Sequence, residues 1–173
     1  VENIMYDEVF NSPGTNFAPQ SHELYMDIGA FGTSVMMIED RPGKPINFQT
    51  FHLGNCYIAE DGSGIVDTVY RKVMKTNRQI FSRYKDKLSA QQIESMLKKP
   101  YEDAECLHIV EPNDDFTPTS GLNTKKKFVS TLILMDKEKA ILEESGFDEF
   151  PYVVPRWQKT AEEVYGRGPA STA

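Results

Sequence analysis

The first 32 residues have hydrophobic positions at the spacing that is typical of helices. Residues 2–10 have helical composition, and the turn-forming residues 11–14 end this first predicted helix. Between 17 and 31 the helical spacing is clearest, at Leu24, Tyr25, Ile28 and Phe31. Gly29 and Gly32 mark the end of this second helix. The sequence therefore predicts that 1–32 is helical.

Beyond Gly32 the hydrophobic positions change to runs of strand length. The predicted strands within 33–75 are 34–39, 46–53, 56–59 and the clearly alternating 65–73. Two turns interrupt them, one at 41–45, rich in proline and glycine, and one at 60–64, where Asp61 is expected to stabilise a hairpin through its own backbone.

A pair of helices is predicted at 76–99. The pattern of a capping box occurs twice, at Thr76 with Gln79 and at Ser89 with Gln92. In a capping box, a hydroxyl side chain and a glutamine three residues later accept hydrogen bonds from backbone N–H groups that are free at the start of the helix. Pro100 ends the second helix of the pair.

A second group of strands is predicted across 104–156. It comprises 104–110, the strongly apolar and therefore central 128–135, a segment at 139–145 that is either a strand or a short helix, and 150–154. The prolines that bound 150–154 place it at a sheet edge, and 111–124 is read as an exposed loop. The fold class is α+β: a mostly antiparallel sheet with N-terminal helices and a short helix pair inserted between two groups of strands.

Composition indicates a globular protein of one domain. The chain has 173 residues, 39% of them hydrophobic, and a net charge of −7. No apolar run reaches the roughly 18 residues of a membrane span, and the acidic N-terminus does not resemble a signal peptide. Proteins that bind nucleic acid through its phosphates usually carry a basic excess. Here the basic residues are read as scattered, apart from the triplet 125–127, which is interpreted as the solvated start of a strand.

Candidate chemistry is sparse. Cys56 and Cys106 lie in apolar runs and are read as buried thiols, with a disulfide as the less favoured alternative. His22, His52 and His108 do not have metal-binding spacing. No cofactor, metal or catalytic set is predicted, which favours a structural or assembly role.

The closing stretch FDEFPYVVPRWQKTAEEVYGRGPA, at 147–170, carries a resemblance. It is similar to the phrase G-[FY]-x-E-F-P-[YF]-x-V-P-R-W-x-K-x-x-x-E-x-Y-G-R-[GS]-P-A of the bacteriophage head-to-tail connecting proteins, the podovirus-type portal family. Three weaker similarities precede it in the same order: LYMDIGAFGTSVMMIED at 24–40, YIAEDGSGIVDTVYRKVMKTNRQI at 57–80 and HIVEPND at 108–114.

The resemblance implies a structural component of the phage portal. Family members are longer and continue past Gly-Arg-Gly-Pro-Ala into long helices, so 1–173 is expected to be a single, excised wing-like domain, with 157–173 leading toward a stem. The implied full protein is a dodecameric ring at the capsid vertex in the virion, assembled in the host cytoplasm. Its implied partners are capsid, scaffold, terminase and tail proteins, and double-stranded DNA passes through the channel without sequence-specific binding and without a membrane.

Within the closing stretch, five residues are candidates for packing or interfaces: Tyr152, Arg156, Trp157, Tyr165 and Arg167. The aromatic side chains supply packing area in the core or against a neighbour, and filling the chain's own core is the plainer alternative for Trp157. The arginines are suited to carboxylates across a subunit boundary. Gly166 and Gly168 are expected to let the chain turn.

Two other functional hypotheses remain open. A stand-alone interaction domain predicts that 150–169 folds back fully onto its own core. A small hydrolase using Glu60 and Asp67 predicts that these carboxylates converge in a concave pocket.

Overall fold

The computed structural model describes residues 5–10, 14–40, 46–118, 122 and 125–172. The chain forms two compact units: unit 1 comprises Val1–Val66 and Pro151–Ala173, and unit 2 comprises Asp67–Phe150. The predicted turn at 41–45 lies outside the described residues, as do most of the predicted stop at 11–14 and parts of the predicted loop at 111–124.

Unit 1 begins with a π-helical turn, Met5–Phe10, and helix α1, Phe17–Phe31. Helix α1 has the predicted bounds. It ends at Gly32, whose φ of 78° is the left-handed backbone that glycine adopts without strain. Of the four hydrophobic positions predicted for α1, Leu24 and Ile28 are buried in a core cluster with Met36 and Phe48, whereas Tyr25 and Phe31 are exposed.

The sheet of unit 1 has the order β2-β1-β8, with all neighbours antiparallel. Its strands are β1 (Val35–Glu39), β2 (Asn47–Phe51) and β8 (Tyr152–Val153). Among the described residues, β8 has β1 as its one neighbour in this sheet, which confirms the predicted edge strand. Unit 1 also contains a 3₁₀ turn, Leu53–Asn55, and strand β3, Cys56–Glu60.

The turn after β3 forms as predicted. The Asp61 carboxylate accepts hydrogen bonds from the backbone N–H groups of Ser63 (2.8 Å) and Ile65 (3.0 Å). Gly64 has a φ of 79°, so this turn also requires a glycine.

Unit 2 is built on antiparallel strands in the order β4-β5-β6-β7. They are β4 (Val66–Thr76), β5 (Asp103–Pro112), β6 (Phe128–Leu134) and β7 (Ile141–Phe147). Strand β6 has a neighbour on each side, which confirms its central position. The ambiguous segment at 139–145 is a strand, β7, and not a helix.

Helices α2 (Asn77–Tyr84) and α3 (Ala90–Lys98) cover part of this sheet, and a 3₁₀ turn, Lys85–Lys87, connects them. Both predicted capping boxes are present. The helices and strands share a core made of Ile80, Tyr84, Met96, Cys106, Leu132, Leu134 and Leu142. The α+β class with antiparallel sheets is confirmed.

Cys56 and Cys106 are buried thiols, as the sequence suggested. Burial raises the pKa of the Cys106 thiol, which keeps it protonated near neutral pH. None of the described helices is both long and apolar enough to span a bilayer.

Candidate assembly site in the closing segment

Residues 151–168 are here called the closing segment, and its first part, 151–156, runs antiparallel to β1 and the residues before it. The carbonyls of Pro151 and Pro155 accept hydrogen bonds from the N–H groups of Ile38 (2.8 Å) and Ser34 (3.2 Å). Proline has no N–H to donate, so these two residues contribute to the pairing only as acceptors. All five candidate residues therefore lie on a segment that unit 1 holds by its backbone.

The closing segment returns to the same place at its end, where it crosses Gly32. A Cβ atom built on Gly32 lies 2.6 Å from the carbonyl oxygen of Gly166 and closer still to the backbone nitrogen of Gly168. A Cβ on Gly166 lies 2.5 Å from the carbonyl oxygen of Gly32. Because real Cβ atoms do not approach backbone atoms this closely, the crossing requires glycine in both chain segments. We call it the glycine crossing of Gly32, Gly166 and Gly168.

The glycine crossing differs from the role expected of its two C-terminal glycines. Among the described glycines, positive φ occurs at Gly32 and Gly64 but not at Gly166 or Gly168. The latter two are therefore required by close backbone approach, and not by a turn. Thr33, which is fully buried, supports the crossing because its Oγ1 accepts the N–H of Gly166 at 2.7 Å.

Arg156 is the polar centre of the closing segment. Its guanidinium forms an ion pair with Glu60 and donates to the carbonyls of Gly64 and Val164, each at 3.1 Å. The side chains of Arg156 and Glu60 are only 15% and 14% exposed, so solvent screens this pair weakly. Lys159 Nζ contacts the same carboxylate at 2.6 Å. The carboxylate partner of Arg156 therefore lies in the same unit of the same chain.

Tyr165 and Arg167 also have partners within unit 1. The Tyr165 hydroxyl accepts the N–H of Ile58 at 3.2 Å, while its ring stays partly exposed. Arg167 binds the Glu163 carboxylate four residues earlier, and this hydrogen bond lowers the pKa of Glu163. Both members of this ion pair are at the surface, so it contributes little to stability.

Tyr152 and Trp157 lie in opposite environments. Tyr152 is 5% exposed and belongs to the core of unit 1. The Trp157 side chain is 62% exposed, although the backbone N–H of Trp157 donates to the Gly32 carbonyl at 2.8 Å. The interpretation that Trp157 fills the chain's own core is wrong, because the backbone pairing that directs Arg156 inward directs the next side chain outward.

The same geometry bears on both alternative hypotheses. The closing segment folds back at Tyr152 and at the glycine crossing, but it leaves Trp157 in solvent, so it does not fold back fully. Glu60 is bound by two cations and anchors the closing segment, which does not favour its role as a hydrolytic carboxylate.

A second polar cluster lies on the sheet of unit 2. His108 Nε2 is 3.0 Å from Ser130 Oγ, and His108 Nδ1 is 3.5 Å from an Arg71 nitrogen. Burial, and then the charges of Arg71 and Lys75, lower the pKa of His108 to about 4. His108 is therefore a neutral structural residue at neutral pH. Among the described residues, no cluster of His, Cys, Asp and Glu side chains has the arrangement of a metal site.

Comparison with known proteins identifies the family. The family model of the bacteriophage head to tail connecting protein matches residues 1–173. The chain belongs to this family.

Curated relatives of this head-to-tail connecting family are named as portal proteins. The portal protein of Salmonella phage epsilon15 is 31% identical over 167 residues, which are 92% of this chain and 29% of that protein. The probable portal protein of Bordetella phage BPP-1 is 27% identical over 156 residues, 88% of this chain and 28% of that protein. The chain thus spans less than a third of the length of these relatives, and the resemblance noted from the sequence is confirmed.

Proposed function

We propose that the chain is the wing-like part of a phage portal protein, a structural component of the ring through which double-stranded DNA is packaged and ejected and to which the tail attaches. The observation that carries this proposal is the match of the family over all 173 residues. A structural role also fits Glu60, one of the two carboxylates of the hydrolase hypothesis, because two cations, Arg156 and Lys159, bind it within unit 1.

The closing segment is suited to lead the chain toward a further part of a longer protein. The Arg156–Glu60 pair and the glycine crossing hold the closing segment to unit 1 at residue 156 and at residues 166–168. A segment that is held in this way would fix the direction in which the chain continues beyond it. In the proposed protein, 157–173 leads toward a stem, and 1–173 acts as the wing.

In this proposal the exposed side chains of the closing segment contact neighbouring subunits. Trp157 is the strongest candidate, because a largely exposed tryptophan on a rigid backbone can bury a large area at little entropic cost. Tyr165 presents a partly exposed ring, and Arg167, two residues later, presents an exposed planar cation. Tyr152, which is buried, and Arg156, which is partly buried, would support this surface from within.

The proposed assembly is a dodecameric ring at the capsid vertex of the virion. Its partners are capsid, scaffold, terminase and tail proteins, and DNA passes through it without sequence-specific recognition. Assembly takes place in the host cytoplasm, and the ring itself is not a catalyst.

Mass measurement of the full-length parent protein in solution tests this proposal. A closed ring, expected at twelve copies, supports it, and a parent that is strictly monomeric under all conditions contradicts it. Replacing Trp157 by alanine in the parent should reduce ring formation. The matched control is Tyr25→Ala, which removes a 70% exposed aromatic from α1 and should leave ring formation unchanged. Equal behaviour of both variants would remove Trp157 from the interface.

A further inference from the structure

The sheet of unit 2 ends at β7, whose outer edge has no backbone partner in the part of the chain that the structure describes. Strand β7 spans Ile141–Phe147 and pairs with β6 along its inner edge, in regular register over 143–147. In an antiparallel ladder, the N–H and C=O groups of alternate residues point to opposite sides of the strand. The outward groups of β7 are therefore available to another strand, and no proline interrupts them.

The edges of the unit 1 sheet, by contrast, are closed by the chain itself. Along the outer edge of β2, the Asn16 carboxamide accepts the N–H of Phe48 at 2.9 Å and donates to the Phe48 carbonyl. Two residues further on, the Gln20 side chain accepts the N–H of Thr50. The other edge strand, β8, has only two residues and is bounded by prolines. Because proteins usually protect exposed strand edges, the open edge of β7 is a candidate binding surface.

Strand β7 and the residues directly after it are acidic. The stretch 141–149 contains four acidic residues and no basic residue. Glu143 faces the helices, where the Tyr84 hydroxyl donates to its carboxylate at 2.6 Å. The next residue, Glu144, therefore faces the other side of the sheet, where it is exposed. Neither Glu144 nor the exposed Glu149 forms an ion pair with a described residue, so both carboxylates are available to the cations of an incoming segment.

We infer that the outer edge of β7 binds an extended, basic segment of another protein by strand addition. In this mode of binding, main-chain hydrogen bonds supply the affinity, and side chains at alternate positions supply the specificity. A lysine or arginine opposite Glu144 forms a cross-strand pair of opposite charge, which is stabilising. A second copy of β7 is not favoured as the occupant, because it would bring two acidic strands side by side. The inference concerns unit 2 alone and does not rest on the ring contacts proposed for the closing segment.

Amide hydrogen exchange of the chain, measured with and without a synthetic peptide, tests this inference. The probe is a nine-residue peptide in which valine alternates with lysine. It should slow exchange at the outward amides of β7 and leave the amides of β2, whose edge is closed, unchanged. The same peptide with all its backbone amides methylated keeps its charge but cannot donate, so its affinity should be lower by about tenfold or more. Equal affinity of the two peptides, or no protection of β7 by the first, would overturn strand addition.

A charge reversal at the edge tests the chemistry of the partner. The Glu144→Lys variant should bind the lysine peptide about fivefold more weakly, because an attractive cross-strand pair becomes a repulsive one. The matched control, Glu94→Lys, reverses the same charge at a 71% exposed position of α3 and should leave the affinity unchanged. Thermal unfolding should show both variants folded. Equal losses in the two variants, or equal binding of a peptide in which valine alternates with glutamate, would overturn the choice of a basic segment. Concentration-dependent dimerisation of the chain alone, with protection of β7, would overturn the choice of another protein and indicate a second copy.

Discussion

Replacing Gly166 by alanine isolates the steric requirement of the glycine crossing. The backbone of Gly166 does not have positive φ, so an alanine there meets no conformational penalty of its own. Its new Cβ, however, would lie 2.5 Å from the Gly32 carbonyl oxygen and 2.9 Å from the Arg156 Cβ. Neither neighbour is the flexible end of a side chain, so the backbone itself must move.

The expected cost follows from this overlap. Inserting a methyl group into well-packed surroundings costs about 1–3 kcal/mol, and the shift also weakens the hydrogen bond from the Gly166 N–H to Thr33. We expect the free energy of unfolding to fall by about 3 kcal/mol. For a chain of this size that corresponds to roughly 6–12 °C in melting temperature.

Gly29→Ala is the matched control, since it makes the same substitution three residues from the crossing. A Cβ at Gly29 has nothing within 4 Å, and the position lies inside α1. Alanine is favoured over glycine in a helix by about 1 kcal/mol, so this variant should be more stable than the original protein.

Thermal unfolding gives the global stability, and amide hydrogen exchange reports on the crossing itself. In the Gly166→Ala variant, exchange should accelerate at the Trp157 N–H, which donates to Gly32, more than at amides of β5 and β6 in unit 2. The steric argument fails if Gly166→Ala and Gly29→Ala shift the melting temperature in the same direction, or if exchange at Trp157 is unchanged.

Three further predictions concern single side chains. The pKa of His108 is lowered to about 4 from 6.5, so the unfolded state binds more protons than the folded state between these pH values, and acidification from pH 7 to 4 should remove about 3 kcal/mol of stability through this group. Replacing His108 by glutamine should flatten this part of the pH dependence of stability, measured by urea unfolding. An unchanged pH dependence in that variant would contradict the prediction. Arg156→Lys keeps the charge but loses the planar fork that reaches two backbone carbonyls, so urea unfolding should show a loss of about 2 kcal/mol; equal stability would show that charge alone suffices. Trp157→Ala should change stability by less than about 0.5 kcal/mol, whereas Tyr152→Ala should cost about 3 kcal/mol, because only the second ring is buried; similar costs in calorimetry would contradict the difference in burial.

Elements set by neighbouring residues could be predicted from the sequence. The capping boxes at Thr76 and Ser89 need only four consecutive residues, and both are present. The pattern at 139–145 was ambiguous because a short apolar run is compatible with a strand or a helix. Its pairing with β6 across the sheet decides for β7, and no local pattern carries that information.

The candidate site was found only in part, because its contacts join residues far apart in the chain. Thr33 and Gly166 are 133 residues apart, and Arg156 and Glu60 are 96 apart. The sequence marked Arg156 and Gly166 as unusual but gave no reason to connect either with its partner. The one available signal was that the stretch 24–40, which contains Gly32, and the stretch 147–170, which contains Gly166, both resembled the same family.

The exposure of Trp157 is a consequence of how the closing segment is held. The backbone of Arg156 pairs with that of Thr33 in an antiparallel β-bridge, and the Arg156 side chain points inward to Glu60. The next side chain, that of Trp157, must therefore point outward. Stability and assembly should therefore separate by residue. Trp157→Ala should leave the fold intact and weaken ring formation, whereas Gly166→Ala should weaken both, because it disturbs the backbone that positions Trp157. A Gly166→Ala parent that lost stability but formed rings normally would show that the closing segment serves the fold of unit 1 and not its assembly.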